Sequence, residues 1–171
     1  MKIEVKKCTA GDLERLLYLS KTTFVDAFEK HINAKDFRKY VDITFTKENF
    51  LRQLKNPGSH FYFICIEDEP AGYFKLNEPG AQSDVNEPGS VELERIYLLK
   101  RFQGQNIGTL VLDDIIHMAL ALGANRLWLG VWSNNRGAVR FYERHGFKKF
   151  GGHPSIVSPD LPPDWLMKKE L

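Results

Sequence analysis

From Val91 to Gly151 the sequence alternates short β patterns with amphipathic helical patterns. The order is strand, helix, strand, helix, strand, over residues 91–99, 106–122, 126–132, 135–145 and 147–151. Apolar residues recur with helical spacing in the first helix, and Gly123 follows it as a natural C-terminal residue. Strands that alternate with helices typically form one sheet with helices packed on it, so this region predicts an α/β fold.

The N-terminal half adds further elements to this sheet. The sequence predicts a strand, a helix capped by Asp12, a second helix and a hairpin of two strands, over residues 1–8, 13–24, 46–55, 61–66 and 72–76. The strands of a hairpin pair antiparallel, so the complete sheet is expected to be mixed. With 171 residues and no internal repeat, the chain is expected to form a single domain over residues 1–171.

Composition and charge exclude several classes of function. The 24 basic and 22 acidic residues leave a formal charge of +2 and form no basic run, so no nucleic-acid partner is expected. No segment is apolar for long enough to span a bilayer, and residues 1–8 alternate apolar with charged side chains, unlike a signal peptide. Cys8 and Cys65 are too few for a disulfide framework and are typical of buried thiols. A cytoplasmic location without a membrane partner is therefore expected.

Histidines and tryptophans give no sign of a metal or ligand site. The five histidines lack the spacing of metal ligands, and two distant cysteines do not complete a zinc site. No metal is expected. Trp128 and Trp132 share one face of the strand at 126–132, where large aromatic residues more often belong to the core.

A polar turn with two glycines joins the strand at 91–99 to the helix at 106–122. Its sequence, residues 101–109, is RFQGQNIGT. A helix N-terminus presents unpaired backbone N–H groups and a partial positive charge, and glycines let a phosphate approach closely. The turn lacks the Gly-Lys-Ser/Thr ending of a P-loop and the glycine spacing of a dinucleotide fingerprint. From local features it is either an anion site or an ordinary strand-to-helix turn.

Three motifs in this region resemble the GNAT superfamily of N-acetyltransferases. They are Glu92-Leu93-Glu94-Arg95-Ile96-Tyr97-Leu98, Gln103-Gly104-Gln105-Asn106-Ile107-Gly108 and Asn135-Arg136-Gly137-Ala138-Val139-Arg140-Phe141-Tyr142-Glu143-Arg144-His145-Gly146-Phe147. The second is similar to the family's Gln/Arg-x-x-Gly-x-Gly/Ala loop, which binds the pyrophosphate of coenzyme A. Asn106 stands where the family usually has its first glycine, and asparagine tolerates a left-handed backbone well. The segments 93–97 and 127–132 are most similar to the PaiA-type polyamine acetyltransferases of bacteria.

This resemblance implies a GNAT fold, with a central, mostly antiparallel mixed sheet flanked by helices, and acetyl-CoA as co-substrate without a metal. The first motif then pairs its backbone with the pantetheine arm, and an N–H near Leu98 donates to the thioester oxygen. Asn135 either positions the cofactor or only caps its helix. The implied cofactor-binding residues are Ile96, Tyr97, Leu98, Gln103, Gly104, Gln105, Asn106, Ile107, Gly108, Thr109, Asn135 and Tyr142.

Acetyl transfer to an amine needs a neutral nucleophile, a polarised carbonyl and a proton for the departing thiolate. By resemblance Tyr142 supplies that proton, and the alternative is a core aromatic. Glu92 and Glu94 alternate to one face of their strand, where a carboxylate takes the ammonium proton or attracts a cationic substrate. They are equally compatible with solvated charges, and Glu94 with an ion pair. Family position favours Glu92 as the base.

The sequence therefore predicts an acetyl-CoA-dependent N-acetyltransferase for a small primary amine, with polyamines such as spermidine first. The subfamily resemblance and the acidic residues Asp84, Glu87, Glu92 and Glu94 favour that substrate. Residues 77–90 read as a surface loop that frames the substrate. A protein amino group, an aminoglycoside, an amino acid and a non-catalytic coenzyme A-binding regulator remain as alternatives. A homodimer through the hairpin or through residues 165–171 is a further expectation.

Overall fold

The computed structural model describes all 171 residues. The strands are β1 (Ile3–Lys7), β2 (Ser59–Ile66), β3 (Glu69–Asn77), β4 (Ser90–Leu98), β5 (Arg126–Trp132), β6 (Lys148–His153) and β7 (Asp164–Glu170). The helices are α1 (Leu13–Phe28), α2 (Ala34–Thr44), α3 (Lys47–Lys55), α4 (Ile107–Ala121) and α5 (Arg136–Arg144). Two short 3-10 turns precede α1 and α4, at Ala10–Asp12 and Lys100–Phe102.

All seven strands form one sheet in the order β1-β2-β3-β4-β5-β7-β6. Only β4 and β5 are parallel, and every other neighbouring pair is antiparallel. The fold is thus the mixed, mostly antiparallel α/β sheet that the sequence predicts. The hairpin β2–β3 and the strand β7, the two elements of the expected dimer contact, each have partner strands on both sides within this sheet.

Helices cover both faces of the sheet. One apolar cluster joins α4 and α5 to the sheet through residues such as Val111, Ile115 and Tyr142. A second cluster joins α1 and α3 to the opposite face through Leu16 and Phe50. Burying an aliphatic side chain of this size contributes about 2 kcal/mol, so each helix is held mainly by its apolar stripe.

The sequence pattern does not predict helix α2. Its N-terminus is capped by Asn33, whose side-chain oxygen accepts the Asp36 N–H at 2.9 Å. Phe37, Tyr40 and Val41 form its apolar stripe and pack in a third cluster with Phe24 on α1. Because only three of its eleven residues carry this stripe, the pattern is weak without its tertiary partners.

Strands β4 and β5 diverge after a short parallel contact. They pair only at Ser90↔Arg126, Val91↔Leu127 and Glu92↔Trp128. On the other side of β4 the register shifts by one residue, because Lys75 faces Arg95 while Leu76 faces Leu93. Glu94 is therefore the extra residue of a β-bulge, a feature that bends and twists a strand. The resulting wedge between residues 94–98 of β4 and 129–132 of β5 is called the strand gap below.

Candidate active site

The strand gap opens an edge of β4 in the middle of the sheet. Residues 90–93 are buried, whereas residues 94–98 are only half-buried because β5 no longer covers them. Beyond Glu92 this edge of β4 has no partner strand, so its backbone donors and acceptors are available to an extended ligand. Ile96, Tyr97 and Leu98 lie on this stretch, where the sequence predicts them to face the cofactor.

The turn between β4 and α4 leaves a row of backbone donors unpaired. None of the six N–H groups from Gly104 to Thr109 donates to an acceptor within the protein. By contrast, α2, α3 and α5 are capped by the side chains of Asn33, Thr46 and Asn135. A helix N-terminus with no cap of its own is suited to bind an anion. The residues present therefore fit a pyrophosphate, and this turn is called the anion loop below.

Two left-handed residues shape the anion loop. Gly104 has φ 74° and Asn106 has φ 60°, so the residue that departs from the family motif adopts the backbone of the glycine it replaces. The Gln103 side chain donates to the Leu98 carbonyl at 2.9 Å, and that of Gln105 donates to the Arg101 carbonyl at 2.9 Å. The side chains of these two glutamines therefore stabilise the conformation of the anion loop.

The other residues predicted to bind the cofactor differ in which of their groups could contact it. Ile107 points its side chain into the core and can offer only its backbone, whereas Gly108 and Thr109 begin α4 beside it. Asn135 caps α5, since its side-chain oxygen accepts the Ala138 N–H at 3.2 Å. The capping alternative for Asn135 is therefore observed.

Glu92 and Glu94 are brought together by a residue that no sequence motif indicates. Asn77, at the end of β3, is fully buried and donates from Nδ2 to Glu92 Oε2 at 2.9 Å and to Glu94 Oε2 at 2.8 Å. Its side-chain oxygen in turn accepts the Ser59 hydroxyl at 2.9 Å. Because every polar atom of this amide has a partner, Asn77 fixes the two carboxylates in one place.

The two carboxylates have opposite electrostatic environments. Glu92 is only 2% exposed, and burial raises the pKa of its carboxyl above the ordinary value. Burial also opposes ionisation of Glu94, but the charges of Arg95 and Lys75 outweigh it and hold the pKa of Glu94 below its ordinary value. Glu94 accepts hydrogen bonds from Lys75 and, at 3.4 Å, from Arg95 Nη2. The ion pair that the sequence left open for Glu94 is thus present.

Lys75 and Arg95 complete this charged group on the face covered by α1 and α3. Desolvation lowers the pKa of the buried Lys75 ammonium, which also donates to Gln53 at 2.9 Å. Arg95 lies over the Phe50 ring at 5.7 Å, and its Nη1 is buried without an acceptor in the protein. This Nη1 donor is sealed inside the protein, so a ligand oxygen would reach it only if neighbouring side chains moved.

The loop between β3 and β4, residues 78–89, is fixed over Glu92. The Gln82 side chain donates to the Ser90 carbonyl at 3.1 Å and accepts the Trp128 indole N–H at 3.0 Å. Ser83 donates from its backbone N–H to Glu92 Oε2 at 2.9 Å and from its hydroxyl to Oε1. The loop that the sequence predicts to frame the substrate thus supplies donors to the candidate base.

Tyr142 lies on the inner face of α5, in the cluster with α4. The residue is 8% exposed, and its ring packs edge-on against Phe141 and Phe147. Burial raises the pKa of its phenol, so the hydroxyl stays protonated at neutral pH. That hydroxyl has no hydrogen-bond partner in the protein and is not sealed from solvent.

The remaining predicted features are structural. Trp128 is buried and held by Gln82, and Trp132 packs against Phe28 and His31.

No group of three or more His, Cys, Asp or Glu side chains has the arrangement of a metal site. No helix has both the length and the apolar character needed to cross a membrane.

Comparisons with known proteins place the chain among N-acetyltransferases. A family model described as the Acetyltransferase (GNAT) family matches residues 23–147. An uncharacterized N-acetyltransferase in the pepI 3′ region of Lactobacillus delbrueckii subsp. lactis is 32% identical over 99% of this chain and 98% of its own length. The spermine/spermidine N(1)-acetyltransferase of Bacillus subtilis (strain 168) is 36% identical over 63% of this chain and 78% of its own length.

A solved structure shares the complete fold. The PaiA N-acetyltransferase from Thermoplasma acidophilum, crystallised in complex with coenzyme A, has a TM-score of 0.78 and 20% identity, with 100% of both chains covered. The fold and the family match are those of an acyltransferase. The chain belongs to the Acetyltransferase (GNAT) family and is an N-acetyltransferase with acetyl-CoA as its co-substrate.

Proposed function

We propose that the enzyme acetylates the primary amine of a small molecule, with a polyamine such as spermidine as the first candidate. The observation that carries this proposal is the buried carboxylate of Glu92 beside the strand gap, between β4 and the 78–89 loop. A base at that position removes the proton of an ammonium group that approaches a thioester held along β4. The relative from Bacillus subtilis supports a polyamine, because its name states spermine and spermidine as substrates.

The backbone and side chains of the chain divide the work of acetyl transfer. The anion loop, Gly104 to Thr109, would hold the pyrophosphate of coenzyme A with its six N–H groups. The open edge of β4 at Ile96, Tyr97 and Leu98 would pair with the pantetheine arm, and an N–H near Leu98 would stabilise the thioester oxygen. Asn135 would contribute to cofactor positioning only through the start of α5, which it caps.

Glu92 is better suited to the base role than Glu94. A pair of carboxyl groups with pKa values displaced in opposite directions usually divides its roles. The raised pKa makes Glu92 the stronger base, whereas Glu94 is ionised and bound by Lys75 and Arg95. We therefore assign proton removal to Glu92 and anchoring of the two cationic side chains to Glu94.

Tyr142 would protonate the departing thiolate. Its phenol is protonated at neutral pH, and its hydroxyl donates to nothing in the protein, so it is available to the coenzyme A sulfur. The reference pKa is about 10 for tyrosine and about 8.5 for a thiol, and burial raises the tyrosine value further. Proton transfer to the sulfur is therefore uphill in this state, and charges at the bound thioester would have to assist it.

A second substrate class has support of its own. The acidic residues that favour a polyamine are partly engaged, since Glu87 pairs with Arg126 at 2.7 Å and Glu94 with Lys75. An amine that also carries a carboxylate, such as an amino acid, would satisfy the buried Arg95 Nη1, which has no acceptor in the protein, if neighbouring side chains moved to admit it. A polyamine has no oxygen to offer this donor.

Thiol release from acetyl-CoA distinguishes these substrates. The acceptors are spermidine, spermine, lysine, an aminoglycoside and a histone-like peptide, each run beside Tyr142→Phe. Turnover with a polyamine alone supports the first candidate, and turnover with lysine alone supports the carboxylate-bearing amine. Coenzyme A binding without turnover of any acceptor would instead favour a non-catalytic regulator and overturn the proposal.

A further inference from the structure

The candidate base is sealed from direct contact with an amine. Glu92 is 2% exposed, and its Oε2 accepts the Asn77 amide at 2.9 Å and the Ser83 N–H at 2.9 Å. Its Oε1 accepts the Ser83 hydroxyl. A carboxylate with both oxygens covered needs an intermediate group to exchange a proton with a substrate.

Ser83 is the donor to Glu92 that is able to pass a proton on. The NH₂ group of Asn77 that contacts Glu92 is buried and can only donate, and a backbone N–H does not exchange its proton on the timescale of catalysis. A hydroxyl donates and accepts at the same time. Ser83 is also an exposed residue, so it connects the buried carboxylate to the protein surface.

The 78–89 loop keeps this hydroxyl in position. Gln82, the residue before Ser83, is buried and binds Ser90 at the start of β4 and Trp128 on β5. Asn86 donates its N–H to Gln82 Oε1 at 3.1 Å, which closes the loop on itself. Two hydrogen bonds from Ser83 to the same carboxylate then leave the side chain little freedom.

The other groups around Glu92 do not compete for this role. The charged groups that act on it are Glu94 on β4 and Lys75 on β3, and these two are bound to each other. Strand β5 presents Trp128 opposite Glu92, and the loop presents Gln82 and Ser83. Among these side chains only the Ser83 hydroxyl both contacts Glu92 and belongs to an exposed residue.

We propose that Ser83 relays the proton from the acceptor ammonium to Glu92. As the N–H proton of the ammonium moves to Ser83 Oγ, the hydroxyl proton of Ser83 moves to Glu92 Oε1. The ammonium becomes a neutral amine with a free electron pair, the carboxylate becomes a carboxylic acid, and the serine is unchanged. The proton returns to solvent along the same route after each turnover. This inference rests on the proposed function, in which Glu92 is the base.

The test compares Ser83→Ala with Ser83→Thr, which keeps a hydroxyl, in thiol release from acetyl-CoA with spermidine. We expect Ser83→Ala to lower kcat about 100-fold at neutral pH. The defect should shrink to a few-fold at alkaline pH, where the free amine no longer needs a base, and Ser83→Thr should recover most of the activity. Pro79→Ala, an exposed and uncharged change in the same loop, is the control and should match wild type.

Two results would overturn the relay while leaving the base in place. One is wild-type turnover by Ser83→Ala when Glu92→Gln is slow. The other is a defect of Ser83→Ala that is equal at every pH and is not rescued by threonine, since a merely structural serine would behave in that way. Wild-type turnover by Glu92→Gln would instead overturn the base assignment itself, so the two failures are distinguishable.

The titration of the Glu92 carboxyl, followed by ¹³C NMR, needs no acceptor. Loss of the Ser83 hydroxyl removes a hydrogen bond to the charged form, so Ser83→Ala should raise the pKa of Glu92 further. An unchanged pKa of Glu92 would show that the Ser83 hydroxyl does not contact the carboxylate, and this result would overturn the relay. This titration tests the contact between Ser83 and Glu92 even if spermidine is not the acceptor.

Discussion

Glu92 and Glu94 are bridged by one amide nitrogen, yet the pKa of the Glu92 carboxyl is raised and that of the Glu94 carboxyl is lowered. Asn77 Nδ2 donates to both, at 2.9 and 2.8 Å. Burial dominates at Glu92, whereas the charges of Arg95 and Lys75 outweigh burial at Glu94. The same substitution at the two positions should therefore have different consequences for activity and for stability.

Glu92→Gln should abolish the base without unfolding the protein. We expect kcat/KM for the amine to fall about 100-fold at neutral pH and to recover at alkaline pH. Glutamine is compatible with the site, because its oxygen can accept from Asn77 and Ser83 while its amide donates to the Ser83 hydroxyl.

The stability of this variant checks the environment of Glu92. Because the folded pKa of Glu92 is raised, its ionisation costs folding free energy above that pKa and costs nothing below the unfolded value. Thermal unfolding at neutral pH should give a Tm equal to or above that of wild type. A Tm several degrees lower would contradict the burial of an ionisable carboxyl at this position.

Glu94→Gln should destabilise the protein instead. The change leaves the buried Lys75 ammonium and Arg95 without their counter-charge, and we expect a loss of about 3 kcal/mol at neutral pH. The folded pKa of Glu94 is lowered, so its contribution is present above the unfolded value and is lost as the pH falls through the folded value. Urea unfolding should show the two proteins converging below about pH 4.

The matched control for this prediction is Glu87→Gln. Glu87 also forms an ion pair, with Arg126 at 2.7 Å, but at the surface, so no measurable change is expected. Equal losses from Glu87→Gln and Glu94→Gln would show that burial of the charge is irrelevant. A restored stability in Lys75→Met combined with Glu94→Gln would confirm that the unpaired ammonium causes the loss.

The strands and most helices could be predicted because their patterns are local. Residues 126–132 have the predicted bounds, and α4 and α5 differ from prediction by a residue at each end. Helix α2 is not predictable from its local pattern, because its short apolar stripe is stabilised by tertiary packing against Phe24. Asn106 adopts the left-handed backbone that its sequence position predicts.

The candidate site was only partly predictable, because its contacts join residues distant in sequence. The spacing of Glu92 and Glu94 predicts that they share one face of their strand. Asn77 and Ser83 reach them only because β3 pairs with β4 and the 78–89 loop folds back over the sheet. The sequence signal for this site is a polar residue, asparagine, at the end of a strand. Its burial depends on the pairing of distant segments, which a single sequence does not reveal.

Asn106 offers a test of the anion loop that separates backbone strain from binding. Alanine costs about 1 kcal/mol in the left-handed region, whereas glycine costs nothing there. We expect Asn106→Ala to lose that much stability and to raise the Kd for coenzyme A by up to about 5-fold, since the loop geometry is less populated. Asn106→Gly should bind at least as well as wild type.

Asn86→Ala is the matched control for the anion loop. Asn86 is also left-handed, with φ 54°, but lies in the 78–89 loop. It should lose at least as much stability, because its side chain also accepts the Gly80 N–H at 2.9 Å, and should leave the Kd unchanged. Isothermal titration with coenzyme A and thermal unfolding measure both quantities. An equal change of Kd in the two alanine variants would exclude a direct role of the anion loop.

Tyr142→Phe should separate chemistry from folding. The Tyr142 hydroxyl has no partner in the protein, so its removal should leave Tm and the Kd for coenzyme A nearly unchanged. If the phenol protonates the thiolate, kcat should fall about 100-fold. Because burial raises the pKa of Tyr142, wild-type activity should show no alkaline loss from its ionisation up to about pH 10. Tyr62→Phe, on β2 and stacked on Phe74, is the control and should retain full activity. Wild-type kcat in Tyr142→Phe would remove the tyrosine from the mechanism and leave water as the proton donor.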